Sequence, residues 1–377
     1  MDFPVFGDAE GYVSLGKKCA DFILSEGVAS SSCYDPIRPV GIAVYYAIPF
    51  LLTNDPVERN YITVLLNVAC LFVLVASLLV LFRNLSGAAS TQKTLANYIG
   101  EAAIVTSTLV LCVAYIPVRL SDIQGFALFV ASVAIISDES SRKNVGALIA
   151  AGILAGLSVL MKQNYVASIF FLVLFWFGFD LKNQIESKLK YVFIYLVGVS
   201  ICLIQVVLVY HKTGMFWFYD LKAMEYFAPT NAQPYIELVA YTDPAKNAYV
   251  SQLQTELSAL QFTAVKFYEG MTKFYWSVYL GRAPLDVTPI AVTIDGAKLF
   301  YMQLILFVVA FITLATTFFK NKWIAIISLM TISSTFLTAA ILHTENRYYL
   351  MTKVFLILIL TVVLVKLARN GVKKMNN

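Results

Sequence analysis

A succession of long apolar stretches, broken only by short polar connections, constrains this chain more than any motif in it. A helix needs about 20 mostly apolar residues to cross the hydrocarbon core of a bilayer. Stretches near 60–82, 101–118, 122–137, 145–161, 164–180, 191–210, 297–319, 323–342 and 348–367 read as such helices, the third and fourth being short. An average soluble chain is roughly one quarter charged, whereas this one is 59% hydrophobic and 14% charged over 377 residues. Little remains for a separate soluble domain. The fold class expected is an all-α polytopic membrane protein with about nine transmembrane helices. Neither a sequence repeat nor a low-complexity tract is present.

The positive charges give this bundle a direction. Arg83 and Lys93 follow the first stretch, and Arg142 and Lys143 fill the third connection. Lys182, Lys188 and Lys190 fill the fifth, Lys320 and Lys322 the seventh, and Lys366, Arg369, Lys373 and Lys374 close the chain. These connections alternate, so all fall on one side, which the positive-inside rule makes cytoplasmic. Such loops account for the net charge of +5 without a nucleic-acid partner. The other side receives residues 1–59, the turns at 119–121, 163 and 343–347, and the long connection 211–296. Four regions result: an extracytoplasmic first loop (1–59), a first set of spans (60–210), a large extracytoplasmic loop (211–296), and the last spans with a short cytoplasmic tail (297–377).

Within residues 1–59, Val40–Leu52 is apolar but too short to cross, which suits an interfacial or re-entrant helix. In the long loop, "GMFWFYDLKAMEYF" reads as a membrane-surface helix. Residues 249–276 place Leu253, Leu257, Leu260, Ala264, Phe267 and Met271 about one helical face apart. Cys70, Cys112 and Cys202 fall inside apolar stretches and read as small core residues. Cys19 and Cys33 share one polar segment, and they can pair if it faces an oxidising compartment.

Ionisable groups near a membrane are costly unless they work or are paired. The non-cytoplasmic side collects Asp8, Glu10, Asp21, Asp35, Asp122 and Glu345. "RLSDIQGF" holds Asp122 in a tight turn, "HTENRYY" offers His343, Arg347 and Tyr348, and Lys162 ends the fourth stretch in "LMKQNY". Together they describe a cavity in which carboxylates take a proton and cations hold an anion such as a lipid phosphate. Each has a plainer role open to it. Asp8 and Glu10 suit a solvated loop, Asp122 a helix N-cap, Lys162 and Arg347 snorkelling to headgroups, and His343 a polar interface.

Several of these segments, taken in order, resemble the GT-C membrane glycosyltransferases. The branch of the protein O-mannosyltransferases and the lipid A aminoarabinose transferase is the most similar. Asp8, Gly11 and Tyr12 fit that branch's acidic residue followed by Gly-Tyr. Arg38, Pro39 and Gly41 in "PIRPVGIAVYYAIP" fit its next motif loosely. "SDIQGFALFVASVAII" resembles its second outer loop, with Asp122 starting a span. "AAGILAGLSVLMKQNY" resembles its G-x-x-x-G helix with a basic end at Lys162, and "HTENRYYLMTKVFLIL" its late Arg-Tyr motif. The sequence reads Asp8-Ala-Glu10 where the mannosyltransferases have adjacent Asp-Glu, and no sizeable C-terminal extramembrane domain follows the last span.

The resemblance implies a GT-C-like bundle with amphipathic helices in its extracytoplasmic loops, and a leading helix upstream of Met1. It implies a glycosyltransferase that moves a sugar from a polyprenyl-phosphate donor to a glycan, lipid or protein acceptor outside the cytoplasm. Asp8, with Glu10 in reserve, is then the catalytic base and Asp122 a positioning acid. Lys162, Arg347, Tyr348 and His343 hold the donor phosphate, while Tyr12 and Arg38 contact acceptor or sugar. No cofactor or metal is required, although Asp8, Glu10 and Asp122 can ligate Mg²⁺ or Mn²⁺. The expected location is a bacterial inner membrane, with the site facing the periplasm or exterior. The competing reading is a transporter or flippase for a lipid-linked sugar or another anion.

Overall fold

A computed structural model describes residues 8–25, 32–35, 38–87, 94–117, 120–179, 185–218, 322–341 and 349–375. All regular structure among them is helical. The elements are α1 (Asp8–Leu24), α2 (Val40–Leu52), α3 (Pro56–Ser86), α4 (Leu95–Cys112), α5 (Asp122–Ser137), α6 (Glu139–Lys143), α7 (Val145–Met161), α8 (Tyr165–Gly178), α9 (Ile185–Val199), α10 (Leu203–Thr213), α11 (Lys322–Ile341) and α12 (Leu350–Met375). Among the described residues, four helical stretches are long and apolar enough to cross a membrane: Pro56–Ser86, Leu95–Cys112, Leu189–Thr213 and Leu350–Arg369. Val40–Leu52, Asp122–Ser137, Val145–Met161, Tyr165–Gly178 and Lys322–Leu337 are shorter apolar helices. The expected span at 297–319 and the surface helices of the long loop beyond Phe218 lie outside the described residues.

α3 begins and ends on strong local signals. The Asp55 side chain accepts from the Val57 N–H at 2.8 Å, and Pro56 occupies the first turn, where its missing N–H costs nothing. Gly87 closes the helix at φ 71°, a left-handed conformation that glycine adopts without strain. One face turns inward with Leu71, Leu74, Leu78, Leu81 and Phe82, while Leu65 and Phe72 stand exposed. An apolar residue exposed in this way is what a lipid-facing helix presents.

α5 is the opposite case. Nearly every side chain from Asp122 to Ser137 is buried. Sheathed by α3 and α7, this helix is the axis of the bundle. α7 contributes small residues. A Cβ on Gly152 would stand 2.1 Å from the Tyr195 carbonyl oxygen, and one on Gly198 would stand 2.4 Å from the Ile149 carbonyl oxygen. Gly152 and Gly156 are spaced as in membrane helix pairs that let backbones touch, and they bring α9 against α7.

Arg83, Arg142 and Arg369 gather at one end. Arg83 pairs with Glu101 at 2.8 Å, and Arg369 donates to the Ser86 carbonyl at 3.1 Å. The Asn84 amide donates to the Ser137 hydroxyl at 2.9 Å, and Arg142 lies 5.1 Å from the centre of the Trp323 ring. Asp138 caps α6 there, and hydrogen bonds from the Ser140 hydroxyl and the Ser141 N–H hold its carboxyl below the usual range. The opposite end carries Asp122.

Candidate functional site

α7 stops at Met161, and Lys162 leaves it in an extended conformation, its N–H still donating to the Ser158 carbonyl at 2.9 Å. The next helix starts three residues later, so Lys162 is trapped in a tight turn. Its ammonium donates to the Asp122 carboxylate in the first turn of α5. Both side chains are largely withdrawn from solvent, at 13% exposure for Lys162 and 3% for Asp122. A buried charge of either sign without an opposite neighbour is strongly unfavourable, so the pair holds the two helices in register. Asp122 is not the N-cap. That position belongs to Ser121, and Asp122 lies inside the helix.

Two tyrosines roof this pair. Tyr46 of α2 donates to the Leu120 carbonyl at 3.0 Å, and the Tyr12 hydroxyl of α1 stands 3.5 Å from the Ser121 hydroxyl. Their rings stack at 6.0 Å between centroids. α2 also touches the end of α7, where a Cβ on Gly41 would stand 2.6 Å from the Leu160 carbonyl oxygen. The Val40 N–H donates to Gln205 of α10 at 2.8 Å. Short apolar α2 is therefore fastened across the Asp122 end of the bundle and presents Val44 and Leu52 outward.

Arg38 joins the same cluster. Its backbone N–H and guanidinium both donate to Asp35, at 2.8 and 3.3 Å. The guanidinium lies 5.4 Å from the Tyr12 ring centre, and a Cβ on Gly11 would come within 2.4 Å of its Nη2 atom. The Gly11–Tyr12 pair thus has a physical meaning: glycine makes room for the arginine, and tyrosine carries it.

The structure brings Asp122, Lys162, Tyr12 and Arg38 to one end of the bundle. Asp8 and Glu10 are in the first turn of α1, with side chains outside the described residues. Asp8 lies four positions before Tyr12, on the same helical face, whereas Glu10 does not. His343, Arg347 and Tyr348 lie outside the described residues. Tyr349, the next residue, is buried, and the Ser168 hydroxyl touches Met351 at 3.7 Å. Among the described residues, no three His, Cys, Asp or Glu side chains group as a metal site.

The sequence reading passed over a buried polar knot beneath α2. Tyr45 donates to the Asn67 side-chain oxygen at 2.9 Å, and Gln124 donates to the same oxygen at 2.6 Å. The Asn67 amide donates to the Ile116 carbonyl at 2.8 Å. Asn67 and Gln124 are isolated amides inside apolar stretches, and that isolation was the available signal.

Cys19 and Cys33 form a disulfide that ties α1 to the segment before α2. Closing a loop of this size is worth about 3 kcal/mol in the chain-entropy model. Reduction, or a Cys19→Ser, Cys33→Ser double substitution, is therefore expected to loosen α1. Trypsin should then cut after the exposed Lys17 and Lys18 at least tenfold faster, read by limited proteolysis with and without reductant. Unchanged cleavage would mean that the apolar contacts of Leu15, Ala20, Ala43 and Ala47 hold α1 unaided.

The protein-family models, the curated proteins and the solved structures gave no match to this chain. The buried Asp122–Lys162 pair beneath α2 is thus the feature that bears on function.

Proposed function

We propose that this chain is an integral membrane glycosyltransferase that moves a sugar from a polyprenyl phosphate to an acceptor on the extracytoplasmic face. The observation that carries the reading is the buried Asp122–Lys162 pair, set at the bundle end that α1 and α2 close and opposite the basic end. The Cys19–Cys33 disulfide supports the orientation, since such bonds persist in oxidising compartments. The basic residues at the other end support it through the positive-inside rule. A bacterial inner membrane with the site facing the periplasm fits both.

The chemistry follows from the charges. The acceptor hydroxyl attacks the anomeric carbon, and its proton passes to a carboxylate. Asp8 fills that role, because its helical position faces the same way as Tyr12, which meets the Asp122 turn. As the new carbon–oxygen bond forms, the bond to the phosphate oxygen breaks with inversion. The polyprenyl phosphate leaves as an anion, and that anion needs countercharge rather than a strong acid. Lys162 supplies the charge, with Arg347, Tyr348 and His343 as further donors. Asp122 holds the Lys162 ammonium in place and offsets its charge until the phosphate arrives. Tyr12 and Arg38 shape the acceptor side. The polyprenyl tail lies against the apolar faces that the helices turn to lipid.

The test uses purified protein in lipid nanodiscs and a panel of radiolabelled polyprenyl-phosphate sugars. Time-dependent loss of sugar from one member, with free polyprenyl phosphate appearing, is the expected result. Intact donor throughout would contradict the proposal. Movement of uncleaved donor between the leaflets of protein-loaded vesicles would support a flippase instead.

A further inference from the structure

Tyr165 opens α8, and its N–H donates to the Lys162 carbonyl at 3.2 Å. One turn of chain therefore presents both the ammonium and the phenol. The ring is clamped from the α5 side. Its centroid lies 5.3 Å from that of Phe129, and a Cβ on Gly125 would stand 2.7 Å from its Cε2 atom. That Cβ would also lie 3.4 Å from the Lys162 Cβ, so the lysine stem and the ring share the groove over Gly125. The residue is 7% exposed. A phenol this deep normally has a hydrogen-bond partner. Its hydroxyl makes no hydrogen bond among the described residues, nor is it one of the sealed polar atoms of the core. It lies within electrostatic reach of the Asp122 carboxylate.

We propose that Tyr165 is a ligand-contacting residue whose hydroxyl donates to an oxygen of the lipid-linked phosphate that Lys162 attracts. This rests on the glycosyltransferase reading above and adds a residue to its site. Phosphate offers only acceptors, and Tyr165 brings a rigidly held donor to the turn that carries the cation. Hydrogen bonds to a charged group are worth more than neutral ones, so losing this one weakens binding about tenfold or more. The ring itself is fixed by packing, so only the hydroxyl is left for the ligand.

The experiment compares full-length wild-type and Tyr165→Phe proteins in nanodiscs, with farnesyl phosphate, farnesol and inorganic phosphate as probes. The Phe variant keeps the ring and removes only the oxygen. Its Kd for farnesyl phosphate is expected to rise about tenfold while its Kd for farnesol stays put. Equal weakening toward both probes would make Tyr165 a packing residue and overturn the proposal. So would an unchanged preference for the phosphate. A wild-type protein that binds farnesol as well as farnesyl phosphate would overturn the glycosyltransferase reading itself. Inorganic phosphate competing as well as farnesyl phosphate would overturn the lipid-linked assignment.

Discussion

Lys162→Ala is expected to lower stability by about 3–5 kcal/mol, more than an ordinary surface charge could. The reason is what remains behind. Asp122 is 3% exposed, and without the ammonium its carboxylate loses that partner on a helix buried on nearly all sides. Protonating it relieves the charge but leaves a polar group in an apolar site. A double variant, Asp122→Leu with Lys162→Met, removes both charges and fills similar volume. It is expected to be more stable than either single truncation, because replacing a whole buried pair by apolar groups is often neutral. Thermal unfolding in detergent checks this. Losses that simply add would mean that the two residues are not coupled. The double variant should nonetheless lose donor binding, which separates the fold's need for the pair from the ligand's need for the lysine.

Asp8→Asn carries the other large effect. A positioned general base contributes about 10²–10⁴ in rate, and the amide cannot take the acceptor's proton. The variant is expected to insert normally, keep the disulfide and bind donor, since Asp8 lies in the first turn of α1, ahead of the Leu15, Cys19 and Ala20 contacts that hold that helix. Sugar transfer should fall by that factor in kcat with little change in donor KM. Single-turnover assays with the donor identified in the panel read this directly. Full activity would remove Asp8 as the base and shift the test to Glu10. A loss confined to KM would instead assign Asp8 to binding.

Much of the bundle was legible because hydropathy and local chemistry agreed. The stretches read at 122–137 and 145–161 coincide with α5 and α7, which are bounded by polar punctuation: Asp138 and Asn144 at one end of the bundle, Lys162 at the other. α2 matched Val40–Leu52 for the same reason. α4 starts earlier than the stretch expected at 101–118. It begins at Leu95, but Glu101 interrupts the apolar pattern and only its partner Arg83 explains why a carboxylate is tolerated there. The short 3-10 turn Ser200–Cys202, which divides α9 from α10, leaves no trace in composition.

The site was legible one residue at a time but not as an arrangement. Asp122 looked like a cap and Lys162 like a snorkelling end, because each role is common at those positions. Forty residues separate them, and only the antiparallel return of α7 beside α5 makes them one ion pair. The roof was harder still. Tyr12 and Tyr46 are aromatic residues in segments expected to lie at a membrane surface, where tyrosine is ordinary. Their meaning lies in which backbone they hold, Leu120 and Ser121.

Which way the bundle faces decides whether any exported acceptor can reach Asp122. Single cysteines at Asn54, in the turn between α2 and α3, and at Ser140, in α6, report on the two ends, and both positions are exposed. Intact cells producing each variant are treated with a membrane-impermeant maleimide. The account predicts that Asn54→Cys is labelled at once and Ser140→Cys only after the cells are opened. Labelling of Ser140→Cys in intact cells, with Asn54→Cys protected, would contradict it.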